Sequence, residues 1–235
     1  MKKVLKQTTL ALMSLILIGS LMSCEATRNA NNKQKGAVIG ATSGALLGAI
    51  IGNNAGKGGN GALGAVVGGV VGGTAGVLIG DRMDKQAQKI EEEIPGAQVE
   101  RIDDGIVVTF DENSGVYFAT NKYDLNETSR ANLDKLANIL KEYPDTNVLV
   151  VGHTDSTGPM EFNMTLSKNR AQAVTNYFVQ NKGLSSGRFT TNWNGPNSPV
   201  ADNATAEGRA KNRRVNIGIV PNEKMKADAK REAGE

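Results

Sequence analysis

The chain has very few of the residues on which enzyme active sites depend. Its 235 residues include one cysteine, Cys24, and one histidine, His153. A single thiol cannot form an internal disulfide, and one histidine cannot build a multi-histidine zinc site. His153 stands beside an aspartate but near no serine motif of the nucleophile-elbow type. We therefore expect no enzymatic activity, no metal and no cofactor, and we expect His153 to hold its own loop in place.

The chain also lacks a surplus of positive charge outside its first residues. It contains 27 basic and 24 acidic side chains, and aromatic residues make up only 4% of it. Three of the basic residues, Lys2, Lys3 and Lys6, lie in the first 23 positions, which contain no acidic residue. Without that segment the formal charge is 24 minus 24, or zero. Nucleic-acid binding needs a basic patch, so we expect no nucleic-acid partner.

Residues 1–23 have the layout of an export signal. The lysines precede an uncharged run with an apolar centre from Leu10 to Ile18, which is too short for a lasting span of about 20 residues. The run Leu21-Met22-Ser23-Cys24 resembles the lipobox of bacterial lipoproteins, although Met22 is bulkier than the usual residue. This pattern predicts cleavage before Cys24 and lipidation of its thiol, with an ordinary secretory signal and a chance cysteine as the alternative.

A polar segment, residues 24–35, precedes a region with regularly spaced glycines. Glycine recurs at every fourth position in two sets: Gly36, Gly40, Gly44, Gly48 and Gly52, then Gly64, Gly68, Gly72, Gly76 and Gly80. In a helix this spacing makes a stripe without side chains, along which a second helix can pack closely. Ten helical glycines cost about 10 kcal/mol relative to alanine, so these helices need tight packing or a membrane. A disordered glycine-rich linker is the alternative.

The glycine region resembles a glycine zipper folded as a helical hairpin. Lys57 is the only charged residue between Lys35 and Asp81, and it lies in the predicted turn. Each arm measures about 26 to 28 Å at 1.5 Å per residue, slightly less than a hydrocarbon core of about 30 Å. The hairpin, residues 36–80, either inserts into the membrane or packs against copies of the chain as a homo-oligomer, and the sequence leaves both open.

The remaining chain reads as a connector, a globular domain and a tail. Residues 81–104 form a charged helix-like connector, ended by Pro95-Gly96, and the start of a β-hairpin; residues 105–220 form the domain; residues 221–235 form a charged tail. Apolar spacing and turn residues predict strands at 99–102, 106–110, 147–152, 188–193 and 215–220, and helices at 126–143, 162–181 and 206–212. The predicted fold class is α+β, a βαβα(β)αβ sandwich with helices packed on a mixed sheet.

One residue interrupts the apolar face of the second long helix. Arg170 lies four residues after Leu166 and four before Val174, so its guanidinium should be buried. A buried guanidinium needs an anion, because leaving it unpaired costs several kcal/mol. Asp155 is a candidate neighbour, in the loop that follows the predicted strand 147–152. A structural Asp155–Arg170 salt bridge and a bound carboxylate remain alternative interpretations.

Several ordered motifs carry a resemblance to the OmpA C-terminal family. They are Gly152-His153-Thr154-Asp155-Ser156-Thr157-Gly158, Asn163, Leu166-Ser167, Arg170-Ala171, Pro199-Val200-Ala201-Asp202-Asn203, Glu207-Gly208-Arg209 and Asn212-Arg213-Arg214-Val215. The resemblance covers about residues 105–220, and with the lipobox and the glycine zipper the whole chain is similar to YiaD-type lipoproteins. It implies an outer-membrane protein, lipid-anchored through Cys24, whose domain faces the periplasm.

The resemblance also implies a ligand and the residues that bind it. The family binds peptidoglycan noncovalently through the diaminopimelate of the stem peptide, with an aspartate and an arginine that match Asp155 and Arg170. Diaminopimelate ends in an ammonium and a carboxylate, which suit Asp155 and Arg170 respectively. Further polar contacts in the family match Thr120, Asn121 and Asn163.

Two neighbouring arginines follow the last helix, and two positions of this chain differ from the family pattern. Arg213 shares strand parity with Val215, so we expect it to face inward and join the site, whereas Arg214 should point the other way. Ala119 stands where the family often has an acid, which predicts one weaker ligand contact. Trp193-Asn194-Gly195 replaces the usual glycine-containing pair of the family before the proline, and we expect Trp193 either to pack in the core or the replacement to reshape the nearby loop.

A different class of function also fits the sequence. The glycine zipper could be the active part of a self-assembling, membrane-active protein that the wall-binding domain merely positions. Loss of oligomers after substitution of Gly44 and Gly72 by leucine would favour this reading. Unchanged activity without residues 36–80 would favour the tether between membrane and wall.

Overall fold

The computed structural model describes residues 72–111, 116, 118 and 121–235. The predicted signal segment, Cys24, the polar tether and most of the glycine hairpin lie outside these residues, as do Ala119 and Thr120. Among the described residues, no helix is both long enough and apolar enough to cross a membrane.

The predicted α+β class is confirmed. The helices are α1 (Gly73–Glu93), α2 (Glu127–Glu142), α3 (Met160–Asn176), α4 (Ala206–Asn212) and α5 (Glu223–Ala233). The strands are β1 (Gln98–Ile102), β2 (Gly105–Phe110), β3 (Thr146–His153), β4 (Phe189–Gly195) and β5 (Val215–Pro221). A π-helical turn, Tyr177–Asn181, extends α3, and a 3-10 turn, Ser186–Arg188, precedes β4.

The five strands form one mixed sheet in the order β1-β2-β5-β3-β4. Only β3 and β4 run parallel to each other, and the remaining pairs are antiparallel. All seven residues of the central strand β5 are buried. Because successive side chains point to opposite faces of a strand, both faces of β5 are covered. The end of β5 that carries Val215 therefore lies deep in the domain.

Local sequence signals explain where the elements begin and turn. Ile102 pairs with Gly105, so the β1–β2 hairpin closes through Asp103-Asp104, as predicted. Asp103 adopts a φ of 50°, a left-handed conformation that aspartate tolerates better than most residues. Asn126 caps α2 by accepting a hydrogen bond from the Ser129 amide at 2.7 Å.

One long helix, α1, crosses the boundary predicted between Gly80 and Asp81. Its buried stripe includes Ile79, Met83 and Ile90, and Gly76 and Gly80 are buried as well. On β1, Arg101 donates from Nε to Oδ1 of Asp84 at 2.8 Å and ties the helix to the sheet. The end of the glycine pattern and the charged connector therefore form one helix that packs on the domain.

The predicted charged tail contains a helix, α5. Asn222 accepts from the Met225 amide at 2.9 Å and caps its start. Met225 and Ala229 are buried and belong to the same hydrophobic core as the stripe of α1. The sequence did not predict this helix because its apolar face is narrow: Met225 and Ala229 are spaced four residues apart among many charged residues.

Gln86 is a polar residue on the buried face of α1. Its side chain is fully buried, and within the described part of the chain neither Oε1 nor Nε2 has a hydrogen-bond partner. Burying an amide without a partner costs about 1–3 kcal/mol in proteins. We expect Gln86→Met, of similar length, to raise the free energy of unfolding by about 1–3 kcal/mol in urea titrations.

Gln88→Met provides the matched control for this prediction. Gln88 lies on the same helix but is exposed, so its replacement should change stability by less than about 0.5 kcal/mol. A Gln86→Met variant that is less stable than the wild type would contradict the prediction.

Candidate functional site

The loop that carries Asp155 begins where three strands meet. The His153 amide at the end of β3 donates to the Arg214 carbonyl at 3.0 Å, and the Thr154 amide donates to the Gly195 carbonyl at 3.0 Å. The β3–β4 register shifts between Gly152 and His153. The start of the loop is thus attached to both neighbouring strands, and the Asp155 backbone is held in a defined position.

Asp155 is nearly buried, with 8% of its surface exposed. Its Oδ1 accepts from the Thr157 amide at 2.8 Å, which closes a turn within the loop. Its Oδ2 accepts from Nη1 of Arg213 at 2.7 Å, and the two side chains form a salt bridge. Asp155 therefore lies as a preorganised carboxylate at the end of β3.

The pKa of Asp155 is lower than its ordinary value of 3.8. Burial raises this pKa. The hydrogen bonds from Arg213 and Thr157, together with the positive charge of Arg213, lower it by more than burial raises it. Because the pKa is lower in the folded state, the ionised carboxylate stabilises the fold when the pH is above the ordinary pKa. This stabilisation is lost as the pH falls through the folded-state pKa. The carboxylate is therefore ionised at neutral pH.

We expect the Asp155 carboxyl to titrate below pH 3.8 when followed by carbon-detected NMR. Replacing Arg213 by methionine removes the salt bridge but leaves the burial, so the midpoint should rise relative to the wild type. Asp228, whose pKa is lowered by the hydrogen bond from Lys224, should titrate as before and serves as the internal control. An unchanged Asp155 midpoint in Arg213→Met would show that another group sets this pKa.

Arg170 occupies the apolar face of α3, as predicted, and is 1% exposed. Its Nε donates to the Lys122 carbonyl at 3.0 Å, and its guanidinium lies 5.1 Å from the centre of the Phe118 ring. Among the described residues no salt bridge joins Asp155 to Arg170, and the ion pair of Asp155 is with Arg213. Lys122 thus links α3 to the segment that leads into α2.

The other predicted site residues fall into two groups. Asn163, 3% exposed, donates from Nδ2 to the Thr157 carbonyl at 2.9 Å and so fastens the Asp155 loop to the first turn of α3. Asn121 is exposed, with a φ of 57°, and directly precedes Lys122. Thr120 lies outside the described residues.

Arg213 and Arg214 differ from what strand parity predicts. Arg213 is the C-cap residue of α4 and lies outside β5, so strand parity does not set its direction. Its position directly after the helix brings it to Asp155. Arg214 is 3% exposed and donates from Nη2 to the Ser198 carbonyl at 3.1 Å, and burial lowers its pKa to about 10. The expected outward direction of Arg214 does not lead to solvent, because both faces of the sheet are covered there.

Two asparagines that the sequence did not single out, Asn212 and Asn203, hold the Asp155 loop through hydrogen bonds. Asn212 is fully buried; its Oδ1 accepts from the amides of Val200 and Ala201 at 2.8 and 3.1 Å. Its Nδ2 donates to Oδ1 of Asn203 at 2.9 Å, and that atom also accepts from the Ser156 amide at 3.2 Å. The motif Asn212-Arg213-Arg214 contains this signal, although only its Arg213 is predicted to join the site.

Trp193 is half-buried on the edge strand β4, so it is not a core residue. Nζ of Lys168 lies 4.9 Å from the centre of its ring. The alternative prediction, that Trp193 reshapes the loop after β4, stays a prediction.

The fold and the loop after β3 define an OmpA-like domain. Residues 117–213 match the OmpA family, and residues 1–84 match the YMGG-like Gly-zipper family. Residues 117–213 of this chain therefore belong to the OmpA family, which confirms the resemblance inferred from its motifs.

Individual relatives agree with this assignment. The chain is 39% identical to the probable lipoprotein YiaD of Escherichia coli over 145 residues, which cover 61% of this chain and 65% of the relative. It is 45% identical to the peptidoglycan-binding protein ArfA of Mycobacterium bovis over 87 residues, 37% of this chain and 26% of the relative. The chain thus spans less than two thirds of the length of these relatives.

A solved structure also matches the domain. The cell wall anchor of the T6SS from Pseudomonas aeruginosa superposes with a TM-score of 0.51 and 31% identity. The match covers 60% of this chain and 97% of that chain. The likeness therefore extends over nearly the whole of the solved anchor.

Proposed function

We propose that this chain is a cell-envelope lipoprotein whose OmpA-family domain binds peptidoglycan noncovalently through the diaminopimelate of the stem peptide. The observation that carries the proposal is the preorganised Asp155 carboxylate, held by Arg213 and Thr157 at the end of β3. The peptidoglycan-binding relative and the cell wall anchor support the same ligand class.

The two ends of the diaminopimelate amino-acid group suit the two central side chains. A carboxylate offers about four lone-pair sites, and Arg213 and the Thr157 amide use only part of this capacity in Asp155. An ammonium can take the rest. The guanidinium of Arg170 is oriented by the hydrogen bond from Nε to the Lys122 carbonyl, and a planar guanidinium suits a carboxylate.

The Asp155 loop and α3 are fastened together, which fixes the distance between Asp155 and Arg170. The Thr157 carbonyl accepts from Asn163, and Arg170 lies seven residues further along the same helix, about 10 Å at 1.5 Å per residue. Oδ1 of Asn163 and the exposed Asn121 would supply further polar contacts, as would Thr120. The ammonium and carboxylate of one ligand would thus meet a site that needs little rearrangement.

The test compares two kinds of cell wall. The full-length protein in detergent should co-sediment with purified sacculi that contain diaminopimelate and much less with sacculi that contain lysine at the same position. Lysine lacks the second carboxylate, which is the ligand group that would bind Arg170. Equal pelleting with both kinds of sacculi would refute the diaminopimelate assignment.

Lipid on Cys24 would make the protein a link between the outer membrane and the wall, with the domain facing the periplasm. Each attachment raises the effective concentration of the other, so two moderate affinities would give a durable link. Cys24→Ala should release the protein from membranes while sacculus binding persists.

The match of residues 1–84 to the YMGG-like Gly-zipper family favours a second candidate, a self-assembling zipper that the domain positions. Cross-linking of the wild type and of the Gly44→Leu, Gly72→Leu double variant tests it. Oligomers that disappear in the variant while sacculus binding persists would assign self-assembly to the zipper.

A further inference from the structure

A concave surface lies beside α3, away from Asp155. It is an open groove of about 420 Å³ between the segment that leads into α2 and the outward face of α3. Its uncharged polar and aromatic lining consists of Tyr123, Asn169, Gln172, Asn176, Tyr177 and Asn181. This volume lies within the range of small-molecule sites, about 300–1,000 Å³. We call this surface the amide groove.

The lining amides take no part in the side-chain hydrogen bonds of the described residues. Asn169, Gln172 and Asn176 follow a spacing of three and four residues, which places them on one face of α3. Within the described part of the chain, no side-chain hydrogen bond involves any of these three or Asn181. Their donors and acceptors face an open space instead.

The π-helical turn places the far end of the groove. Its closing hydrogen bond runs from the Lys182 amide to the Tyr177 carbonyl at 3.2 Å, and its first and last residues, Tyr177 and Asn181, both line the groove. Tyr177 is held in place because its hydroxyl donates to Oδ1 of Asp134 at 2.5 Å. π-turns of this kind occur often at functional sites.

The chemistry of the lining suits a neutral ligand rich in hydroxyl and amide groups. Each amide side chain offers two donors and an acceptor, and a sugar hydroxyl both donates and accepts. The Tyr123 ring, 48% exposed, offers an apolar face for the CH groups of a sugar. Asp124 and Arg130, the two charged residues of the lining, cancel formally, so the groove favours neither a phosphate nor a cation.

We propose that the amide groove binds an N-acetylated sugar of the glycan strand whose stem peptide occupies the Asp155–Arg170 site. This inference rests on the proposed function. Its geometric basis is continuity: Tyr123 follows Lys122, whose carbonyl accepts from Arg170, and Asn169 precedes Arg170 on α3. The groove is therefore built from the same two segments that the Arg170–Lys122 hydrogen bond joins.

The test uses two separate probes with the full-length protein in detergent. The sugar probe is N,N′-diacetylchitobiose, and the peptide probe is a free stem tripeptide ending in diaminopimelate. Saturation-transfer NMR follows the sugar and calorimetry follows the peptide. The groove variant is the double substitution Asn169→Leu, Asn176→Leu, and Gln180→Leu, an exposed amide outside the lining, is the matched control.

We expect the groove variant to bind diacetylchitobiose roughly tenfold more weakly, the change expected from losing about two hydrogen bonds, and to bind the tripeptide as the wild type does. Asp155→Ala should bind the sugar normally and lose the tripeptide, and Gln180→Leu should bind both probes normally.

The proposal would be overturned if the wild type transferred no saturation to the sugar, or if the groove variant transferred as much as the wild type. Loss of tripeptide binding in the groove variant would assign the groove to the peptide and overturn the sugar assignment. Failure of the proposed function would appear separately, as Asp155→Ala retaining the tripeptide.

Discussion

Asp155→Ala and Arg170→Lys are each expected to abolish co-sedimentation with diaminopimelate-containing sacculi. The alanine removes the carboxylate that would accept the ligand ammonium. The lysine keeps a positive charge but replaces the planar fork by a single ammonium, which cannot form two parallel hydrogen bonds to a carboxylate. Loss of one charge-assisted contact costs roughly 2–5 kcal/mol, or about 30-fold to several thousandfold in affinity.

Folding must be separated from binding in this experiment, because both residues are buried. Loss of the Asp155 carboxylate removes the Asp155–Arg213 salt bridge, so Asp155→Asn is included as the variant closest in shape. Near-ultraviolet circular dichroism and urea titration show whether each variant folds. Lys230→Ala, an exposed cation on α5, is the control and should pellet like the wild type. Normal pelleting of folded Asp155→Asn and Arg170→Lys would refute the assignment of the site.

Gly152→Ala is expected to destabilise the domain by about 3 kcal/mol. A Cβ on Gly152 would lie 2.1 Å from the Ser167 carbonyl oxygen and 3.4 Å from Cβ of Ala171. The carbonyl belongs to the backbone of α3 and cannot rotate away, so the whole helix must shift from β3. Urea unfolding of the variant and the wild type measures this cost.

The same substitution should also weaken binding to sacculi, although it touches neither Asp155 nor Arg170. Arg170 lies between the two residues of α3 that the new methyl group would displace, so the spacing across the site should change. Gly187→Ala is the matched control, because its Cβ would meet only Oγ of Ser185, at 3.8 Å. Equal stability of Gly152→Ala and the wild type would show that α3 adapts without cost.

Most of the fold was predictable because its signals are local. Apolar spacing in α2, the Asp103-Asp104-Gly105 turn and the strand patterns of β3 and β5 depend on neighbours within a few residues. The errors lie where packing between distant segments decides. The helix α5 depends on its contact with α1, and the continuity of α1 through Gly80 depends on the core that covers it.

The composition of the candidate site follows from the sequence, but the pairing of its side chains does not. Asp155 and Arg170 were identified from their motifs and from the cost of burying a guanidinium. The salt bridge between Asp155 and Arg213 joins residues 58 positions apart. It depends on β5 lying beside β3 in the sheet, which no local pattern specifies.

The sequence by itself determined the elements, the family motifs and the presence of a carboxylate and an arginine suited to one amino-acid end group. It could do so because periodicity, turns and motif spacing are short-range properties of the chain. Tertiary structure alone decided that Arg213 pairs with Asp155, that Arg214 is buried, that Asn212 braces the loop and that an amide groove lies beside α3. These features arise from the order of strands and the docking of helices, which bring side chains together across long stretches of sequence.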